Sequence, residues 1–284
     1  MHSPALRSTA LVSVLKTACI YCFSGTGNTL LATQRLMAGL HERGVETSCH
    51  ALSPDGQVQP GTSGLGLTFP VACQSTYPFV WDFIARLPPG DGRAVFVMDT
   101  LHAFSGGLLA PLRRLLVGKG YEPLGAIEVK MPSNLRLREP GEAKVAATAE
   151  KAMASVDRFA EQLAEGRAEW PRAGMFEGVL HTVSRSRLLW AFARWLMGLR
   201  HDPGHCSDCG FCQSICPMRA IDPERMPVLD RKACQLCMRC YSYCPVGSIR
   251  SRLPWQPYRA VKVGELLALQ DTPTAGDNET GSLP

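Results

Sequence analysis

Two cysteine runs with identical spacing constrain the fold of this chain more than any other feature. Each run reads C-x-x-C-x-x-C-x-x-x-C-P, and together they hold eight of the twelve cysteines in the 284-residue sequence. The first run contains Cys206, Cys209, Cys212 and Cys216, and the second contains Cys234, Cys237, Cys240 and Cys244. This is the spacing with which bacterial proteins bind [4Fe–4S] clusters. Its double occurrence predicts two such clusters as cofactors.

The same spacing predicts how the eight cysteines divide between the clusters. Three cysteines that follow one another at two-residue gaps can cap one face of a cubane, whereas the fourth lies out of reach and ligates the other cluster. The expected ligands of one cluster are Cys206, Cys209, Cys212 and Cys244. Those of the other are Cys234, Cys237, Cys240 and Cys216.

Zinc and disulfides are two other uses of cysteine, and both fit this pattern less well. Structural zinc is usually bound by two pairs of ligands with a longer gap, so a third close cysteine would be surplus. Disulfides between cysteines so close in sequence have poor geometry. No secretory signal is recognisable, because the apolar stretch 10–15 is short and is followed by Lys16. We therefore expect a cytoplasmic location, where thiols stay reduced, and no spanning helix.

Strand-like and helix-like stretches alternate through the first part of the chain. The apolar, β-leaning stretches are 18–23, 46–52, 64–71, 94–100 and 126–131. The helical patterns are 29–43, 79–87, 108–117 and 141–165. Such alternation predicts an α/β fold with a doubly wound parallel sheet. Ligands of these sheets bind beyond the carboxyl ends of the strands.

The first predicted strand runs into the loop SGTGNT, whose composition suits a phosphate. The loop consists of Ser24, Gly25, Thr26, Gly27, Asn28 and Thr29 and contains no lysine or arginine. Glycines let main-chain N–H groups converge on an anion, and the following helix adds its unpaired N–H groups and the positive end of its dipole. The polar side chains offer further donors. The loop is neither a Walker A motif nor a dinucleotide fingerprint, and a simple strand-to-helix turn is the alternative.

The pattern Ser/Thr-x-Thr-Gly-x-Thr after a first strand resembles the FMN-phosphate loop of flavodoxins. In that family the flavin ring lies between the loops after the third and fourth strands, which here are 70–77 and 100–107. The resemblance therefore implies an FMN cofactor. The cofactor-binding residues that it implies beyond the phosphate loop are Pro70, Val71, Thr100, Leu101, His102, Gly106 and Gly107. Tyr77, His102 or Phe104 would stack on the ring, and ordinary packing is the alternative role of each.

The order of motifs extends the resemblance to the second half of the chain. After the phosphate loop come FPV (69–71), a threonine-containing loop that ends in Gly106-Gly107, MPSN (131–134) and the two cysteine runs. This order is similar to that of the EFR-type flavodoxin–ferredoxin fusion proteins of anaerobic microbes. It implies a flavodoxin-like domain followed by a C-terminal α+β ferredoxin domain of the bacterial 2[4Fe–4S] kind. Those relatives commonly carry Thr-Tyr-Gly where this chain has Thr100-Leu101-His102.

Five segments are expected on this basis. They are an N-terminal extension (1–15), a flavodoxin-like FMN-binding domain (16–168), a helical linker (169–204), a ferredoxin domain (205–252) and a C-terminal tail (253–284), which is polar and expected to be disordered after Leu269. The linker has an apolar helical pattern at 188–200 and is rich in arginine. A helix that packs the two domains together, with its arginines offsetting cluster charge, is the favoured interpretation. Contact between 185–200 and an anionic membrane surface or an acidic partner is the alternative.

A flavin and two clusters in one chain predict an electron-transfer protein that serves a redox partner protein. The net charge of +5 is mild and dispersed, so no nucleic-acid binding is expected. No nicotinamide domain and no nucleophile elbow or HExxH motif is recognisable, which favours a carrier over an enzyme. Two alternatives stay open. One is an FMN-dependent reductase of a small substrate, fed by the clusters, and the other is a flavin-less scaffold that docks the ferredoxin domain.

Overall fold

The computed structural model describes residues 15–58, 61, 63–137, 141–171, 177–222, 230 and 232–270. The predicted N-terminal extension therefore lies outside the described residues, apart from Leu15. The expected disorder after Leu269 also falls on residues outside them, apart from Gln270.

Five parallel strands form the central sheet of the first half of the chain, which we call the sheet half. They are β1 (Thr17–Cys22), β2 (Glu46–Ala51), β3 (Gly64–Pro70), β4 (Ala94–Leu101) and β5 (Glu122–Lys130). Their order across the sheet is β2-β1-β3-β4-β5, and every neighbouring pair is parallel. This is the doubly wound order 2-1-3-4-5 of flavodoxin-like folds. The strand order confirms the predicted fold class for this half.

The strands lie where the sequence pattern predicts them, apart from the start of β5. This strand begins at Glu122, before the predicted start at 126. Pro123 can take part because β5 is an edge strand, where proline's missing N–H can face away from the sheet. The register then skips Leu124, because Val95 pairs with Pro123 and Phe96 pairs with Gly125. A β-bulge thus absorbs one extra residue at this edge.

Helices cover both faces of the sheet. They are α1 (Asn28–His41), α2 (Pro78–Ala85), α3 (Leu109–Gly118) and α4 (Glu142–Ala164). Successive side chains of β4 point to opposite faces of the sheet, as in any strand, and so contribute to the apolar core on each face. Val95 and Val97 pack with residues of α2 and α3, whereas Phe96 and Met98 pack with residues of α1 and α4. The sheet is therefore buried on both sides.

Two further helices, α5 (Glu177–Ser184) and α6 (Arg187–Met197), fall within the predicted linker. Helix α6 buries Trp190 beside Tyr77 in the core of the sheet half, with ring centroids 6.0 Å apart. It also buries Met197 in a cluster with Cys234 and Met238. These contacts support the interpretation of α6 as a helix that packs the two halves together. Within the described ranges, no helix is long and apolar enough to cross a membrane.

The two cysteine runs fold as two similar parts of a small α+β unit, which we call the cysteine half. Strands β6 (Arg200–His201) and β7 (Ile249–Arg250) pair antiparallel, and the short helices α7 (Phe211–Ser214) and α8 (Arg239–Tyr243) lie within the runs. Left-handed backbone conformations recur at equivalent places in the two runs. The equivalent pairs are Asp208 and Leu236, Gly210 and Met238, and Arg219 and Gly247. Each pair is 28 residues apart (236 − 208 = 28), the spacing of the cysteine runs themselves.

The described part of the predicted tail returns to the sheet half. Helix α9 (Val263–Gln270) follows an irregular segment, and its Leu266 and Leu269 are buried. Together with Val261 they pack against Leu30 of α1 and Tyr243 of α8. Residues of the sheet half, of the cysteine runs and of the C-terminal segment thus pack together in one small core.

Asp99 interrupts the apolar run of β4. It is completely buried, and neither carboxyl oxygen has a hydrogen-bond partner among the described residues. Loss of hydration, together with the negative charge of Glu128 on β5, raises the pKa of Asp99 well above its usual value. The folded chain therefore keeps this proton to a higher pH than the unfolded chain does.

This proton gives the first prediction, which concerns stability. A raised pKa in the folded state means that the stabilising contribution of Asp99 is complete below the unfolded pKa of about 3.9 and is lost as the pH rises. In the wild-type protein, Asp99 should make the free energy of unfolding decline by up to about 1.4 kcal/mol per pH unit as the pH rises. We expect Asp99→Asn to remove this decline. Urea denaturation of the full chain at several pH values measures this. The control is Asp82→Asn on the exposed side of α2, and equal pH slopes in wild type and Asp99→Asn would contradict the prediction.

Candidate functional site: a cleft beside two cysteine sites

The carboxyl ends of four strands open onto one cleft with a volume of about 420 Å³. The loops that follow β1, β3, β4 and β5 line it. This volume lies in the range of small-molecule sites, and the location is where doubly wound sheets bind their ligands. Among the described residues, no lysine or arginine lines the cleft.

The loop after β1 presents main-chain N–H groups at the start of α1. Gly27 is the N-cap residue, with a φ of 103° that favours glycine, and no side chain caps this helix end. The first helical hydrogen bond runs from the Leu31 N–H to the Gly27 carbonyl, at 2.9 Å. Helix geometry therefore leaves the N–H groups of Asn28, Thr29 and Leu30 without an acceptor inside α1. Such an uncapped N-terminus suits an anion.

Residues of the second cysteine run and of the segment after it donate hydrogen bonds to two carbonyl groups of the same loop. The Ser24 carbonyl accepts a hydrogen bond from Arg239 Nε at 2.9 Å. The Thr26 carbonyl accepts from the Ala260 N–H at 2.8 Å and from the Tyr243 hydroxyl at 3.3 Å. These bonds hold two of the loop's carbonyls on the side of the cysteine half, while the N–H groups at the start of α1 have no acceptor inside the helix.

The polar side chains of this loop mostly bind other parts of the protein. Ser24 Oγ accepts from the Gly27 N–H at 3.1 Å, and Thr29 Oγ1 lies 2.7 Å from Thr100 Oγ1. Asn28 Nδ2 donates to the Pro132 carbonyl at 2.9 Å. These contacts fix the loop's shape. The Ser24 hydroxyl accepts a bond and keeps its own O–H as a donor, and the hydroxyl of Thr26 makes no hydrogen bond to another described residue. That these side chains supply donors to a ligand stays a prediction.

Most of the predicted cofactor-binding residues line the cleft. They are Ser24, Gly25, Thr26, Asn28, Thr29, Pro70, Val71, Thr100, Leu101 and His102. The structure places Gly27, Gly106 and Gly107 outside this lining. The Gly106 and Gly107 N–H groups donate to the Gln74 carbonyl, at 3.2 and 2.9 Å, and so join the loops after β3 and β4. Gly27 acts as the helix cap.

Ten further residues line the cleft, and two of them, Tyr77 and Phe104, are among the predicted stacking partners of the ring. The ten are Cys73, Gln74, Tyr77, Ala103, Phe104, Met131, Pro132, Ser133, Asn134 and Leu135. The last five follow β5, so their place at the carboxyl edge of the sheet was available as a signal in the MPSN motif. Phe104 is 61% exposed at the cleft mouth, whereas Tyr77 is buried. Tyr77 also packs edge-on against Phe23, with centroids 5.3 Å apart.

Cysteines of each predicted set lie near one another. Cys216, Cys234, Cys237 and Cys240 line one small cavity. Cys212 has the other three of its predicted set, Cys206, Cys209 and Cys244, as electrostatic neighbours. All twelve cysteines of the chain are free of disulfides. No group of three or more His, Cys, Asp or Glu side chains in the described ranges is arranged to hold a single metal ion.

The chemistry of the second set fits a cluster. Burial raises the pKa of Cys237 to about 12, and burial also raises the pKa of Cys234 and Cys240. Burial thus disfavours the ionised form of these three thiols, whereas coordination to a metal deprotonates a thiol outright. Backbone N–H groups already point at the sulfurs, as from Ser248 to Cys244 at 3.2 Å and from Ala220 to Cys216 at 3.3 Å.

The cleft and the second cysteine run touch directly. A Cβ atom at Gly25 would collide with the Cys237 carbonyl oxygen, so only glycine allows the loop to approach this closely. Nearby, the Phe79 N–H donates to Gln235 Oε1 at 3.1 Å. Burial raises the pKa of Tyr77, and the Cys237 and Cys234 thiols beside it act in the same direction. Tyr77 therefore lies between the cleft and this cysteine set.

The predicted division of ligands can be tested by removing the fourth cysteine of each run. We expect Cys216→Ala to eliminate the cluster that is held by the second run and Cys244→Ala to eliminate the one held by the first run. Each loss should remove about half of the bound iron. Cluster-resolved EPR and iron analysis of anaerobically prepared protein measure this. Loss of the first-run signal in Cys216→Ala would show that the division is wrong.

A comparison with protein families matches the cysteine half. Residues 199–222 and 227–250 each match the family of 4Fe–4S binding domains. No curated protein matches the sequence significantly.

Solved structures similar to the sheet half include three flavodoxins. One is from the domain Archaea, with 11% identity over 52% of this chain and 96% of that one and a TM-score of 0.39. The two-electron reduced flavodoxin of Megasphaera elsdenii has 20% identity over 49% and 98% and a TM-score of 0.36. A point mutant of the flavodoxin from Pseudomonas aeruginosa has 13% identity over 53% and 97% and a TM-score of 0.39.

The chain thus combines a sheet half of flavodoxin-like strand order with two 4Fe–4S binding repeats. This combination agrees with the resemblance to flavodoxin–ferredoxin fusion proteins and supports an electron-transfer role.

Proposed function

We propose that this protein is an electron-transfer protein that exchanges electrons between FMN in the cleft and two [4Fe–4S] clusters, and between these cofactors and a partner redox protein. The observation that carries the proposal is the contact between the loop after β1 and the second cysteine run at Gly25 and Cys237. A flavin phosphate on this loop and a cluster on this run would be neighbours. Such a contact has no evident use in a protein whose two halves act separately.

The residues of the cleft suit FMN in two parts. The uncapped start of α1 and the Thr26 hydroxyl would hold the phosphate, with no positive side chain required. The apolar surfaces of Val71, Leu101 and Tyr77 would take the ring. Bound FMN supplies two-electron chemistry that can be divided into single-electron steps, which matches the one-electron chemistry of iron–sulfur clusters.

The residues of the cysteine half suit its part in this function. Main-chain N–H groups donate to cysteine sulfurs in both runs, as from Asp208 to Cys206 at 3.4 Å and from Leu236 to Cys234 at 3.5 Å. Hydrogen bonds of this kind stabilise the negative charge on the sulfurs and adjust the reduction potential. The first run is the more exposed one, because Cys209 is exposed whereas Cys234, Cys240 and Cys244 are buried. The first run therefore suits exchange with a partner.

The role of the phosphate loop gives a binding prediction. We expect the protein to bind FMN at least tenfold more tightly than riboflavin, which lacks the phosphate, because the loop offers charge-assisted hydrogen bonds to that group. Thr26→Arg should weaken FMN binding at least tenfold by filling the loop, whereas Ser133→Ala at the far side of the cleft should change it less. Fluorescence titration of the flavin-free protein measures both. Equal affinity for FMN and riboflavin would contradict the proposal.

A turnover assay separates a carrier from a reductase. The anaerobic holoprotein is reduced and mixed with small oxidants and, separately, with one-electron carrier proteins. We expect fast, saturable oxidation by carrier proteins and slow, unsaturable oxidation by small molecules. Saturable turnover of a small molecule that is lost in Thr26→Arg would instead identify a reductase. A protein that takes up iron but no FMN would identify a scaffold.

A further inference from the structure

Arg239 departs from the internal repeat of the cysteine half. The position 28 residues earlier is Phe211, between Gly210 and Cys212 of the first run (239 − 28 = 211). Both residues begin a short helix after a left-handed residue, so the cluster loop itself accepts an aromatic residue here as readily as an arginine. One difference between the two positions is that the Arg239 side chain reaches the loop after β1.

The guanidinium of Arg239 is buried between this loop and the second run. The residue is 3% exposed. Its Nε donates to the Ser24 carbonyl at 2.9 Å, its Nη1 donates to the Ile215 carbonyl at 3.3 Å, and its charge lies 5.0 Å from the centroid of the Phe23 ring. The Ser24 hydroxyl in turn accepts the Gly27 N–H. Arg239 thus fixes the residue that closes the phosphate loop.

This cation lacks a carboxylate partner in the described part of the chain. It lines the cavity of the second cysteine set, and its neighbours include two carbonyl oxygens, an aromatic face, the Tyr243 hydroxyl and the sulfurs of Cys237, Cys22 and Cys216. A buried charge without a counter-charge costs several kcal/mol. Two of these three sulfurs belong to the predicted ligands Cys216 and Cys237. A [4Fe–4S] cluster with four thiolates is an anion, so it would supply the missing counter-charge.

We propose that Arg239 is the counter-ion of the cluster held by Cys216, Cys234, Cys237 and Cys240, and that it couples this cluster to the flavin phosphate loop. This inference rests on the proposed function and names a regulation of the same site. With the cluster bound, the negative charge of the cluster balances the positive charge of Arg239, which stays in place and donates to the Ser24 carbonyl. Without the cluster, the buried cation is uncompensated and the loop loses its support. By linkage, each cofactor then strengthens the binding of the other.

Three variants separate charge from hydrogen bonding. Arg239→Gln removes the charge, and Arg239→Lys keeps the charge but cannot reach both carbonyls with a planar fork. The control, Arg219→Gln, removes an exposed arginine that follows Cys216 closely in sequence. The first readout is the midpoint potential of each cluster in EPR-monitored redox titrations. The second is the dissociation constant of FMN for the cluster-loaded protein.

Arg239→Gln should lower the potential of the second-run cluster, because its reduced form carries more negative charge. The expected change is at least tenfold in the electron-sharing equilibrium, or about 59 mV, with the first-run cluster unchanged. Arg239→Lys should retain most of the potential, and both variants should bind FMN about tenfold more weakly. Arg219→Gln should leave both readouts at wild-type values. Equal shifts of both clusters, or unchanged potentials and FMN affinity, would overturn the proposal.

Two further outcomes are also decisive. If Arg239→Gln cannot be loaded with its second cluster, Arg239→Lys decides: weaker FMN binding supports the coupling and unchanged binding overturns it. If wild-type protein binds no FMN, the proposed function fails. The potential of the second-run cluster in Arg239→Gln then tests the counter-ion role independently.

Discussion

The phosphate loop's contact with the second cysteine run is the interaction on which the rest of the structure depends. The carbonyls of Ser24 and Thr26 are held by Arg239, Tyr243 and Ala260. Because a peptide unit points its N–H away from its carbonyl, the Gly25 N–H points away from Arg239, whereas the Gly27 N–H is bound to Ser24 Oγ. The shape of the binding loop is therefore set by residues more than 200 positions away in sequence, such as Arg239 (239 − 24 = 215).

Positive charge is distributed in an uneven way across the two cofactor sites. The described lining of the cleft has no lysine or arginine, whereas Arg239 is buried beside the cysteine cavity. Neutral dipoles suffice for a phosphate at a helix N-terminus, since the helix end already carries partial positive charge. A cluster with four thiolates lies in a drier place and has greater need of a full counter-charge. The sequence therefore has no cation where a phosphate loop often has one.

Local sequence patterns predicted most of the fold. Most of the features that they missed depend on contacts between segments that are distant in sequence. Strand–helix alternation predicted all five strands and α1 to α4 within a few residues, and the cysteine spacing predicted that Cys216 lies beside the second run. The patterns could not predict that Tyr77 lies between the cleft and Cys237, or that Val261 packs on Gly27, because those contacts join distant segments. Asp99 was hidden for another reason, since one carboxylate in an apolar strand leaves no periodic signal.

The most direct test of this account is the kinetic order of electron exchange between the two kinds of cofactor. Bound FMN in the anaerobic holoprotein is photoreduced by a short flash with a sacrificial electron donor in solution, and cluster absorbance is followed in time at several protein concentrations. The account predicts a first-order change whose rate constant is independent of protein concentration, because the loop at Gly25 and the run at Cys237 belong to one molecule in contact. A rate that rises in proportion to protein concentration would show exchange between molecules and would contradict it.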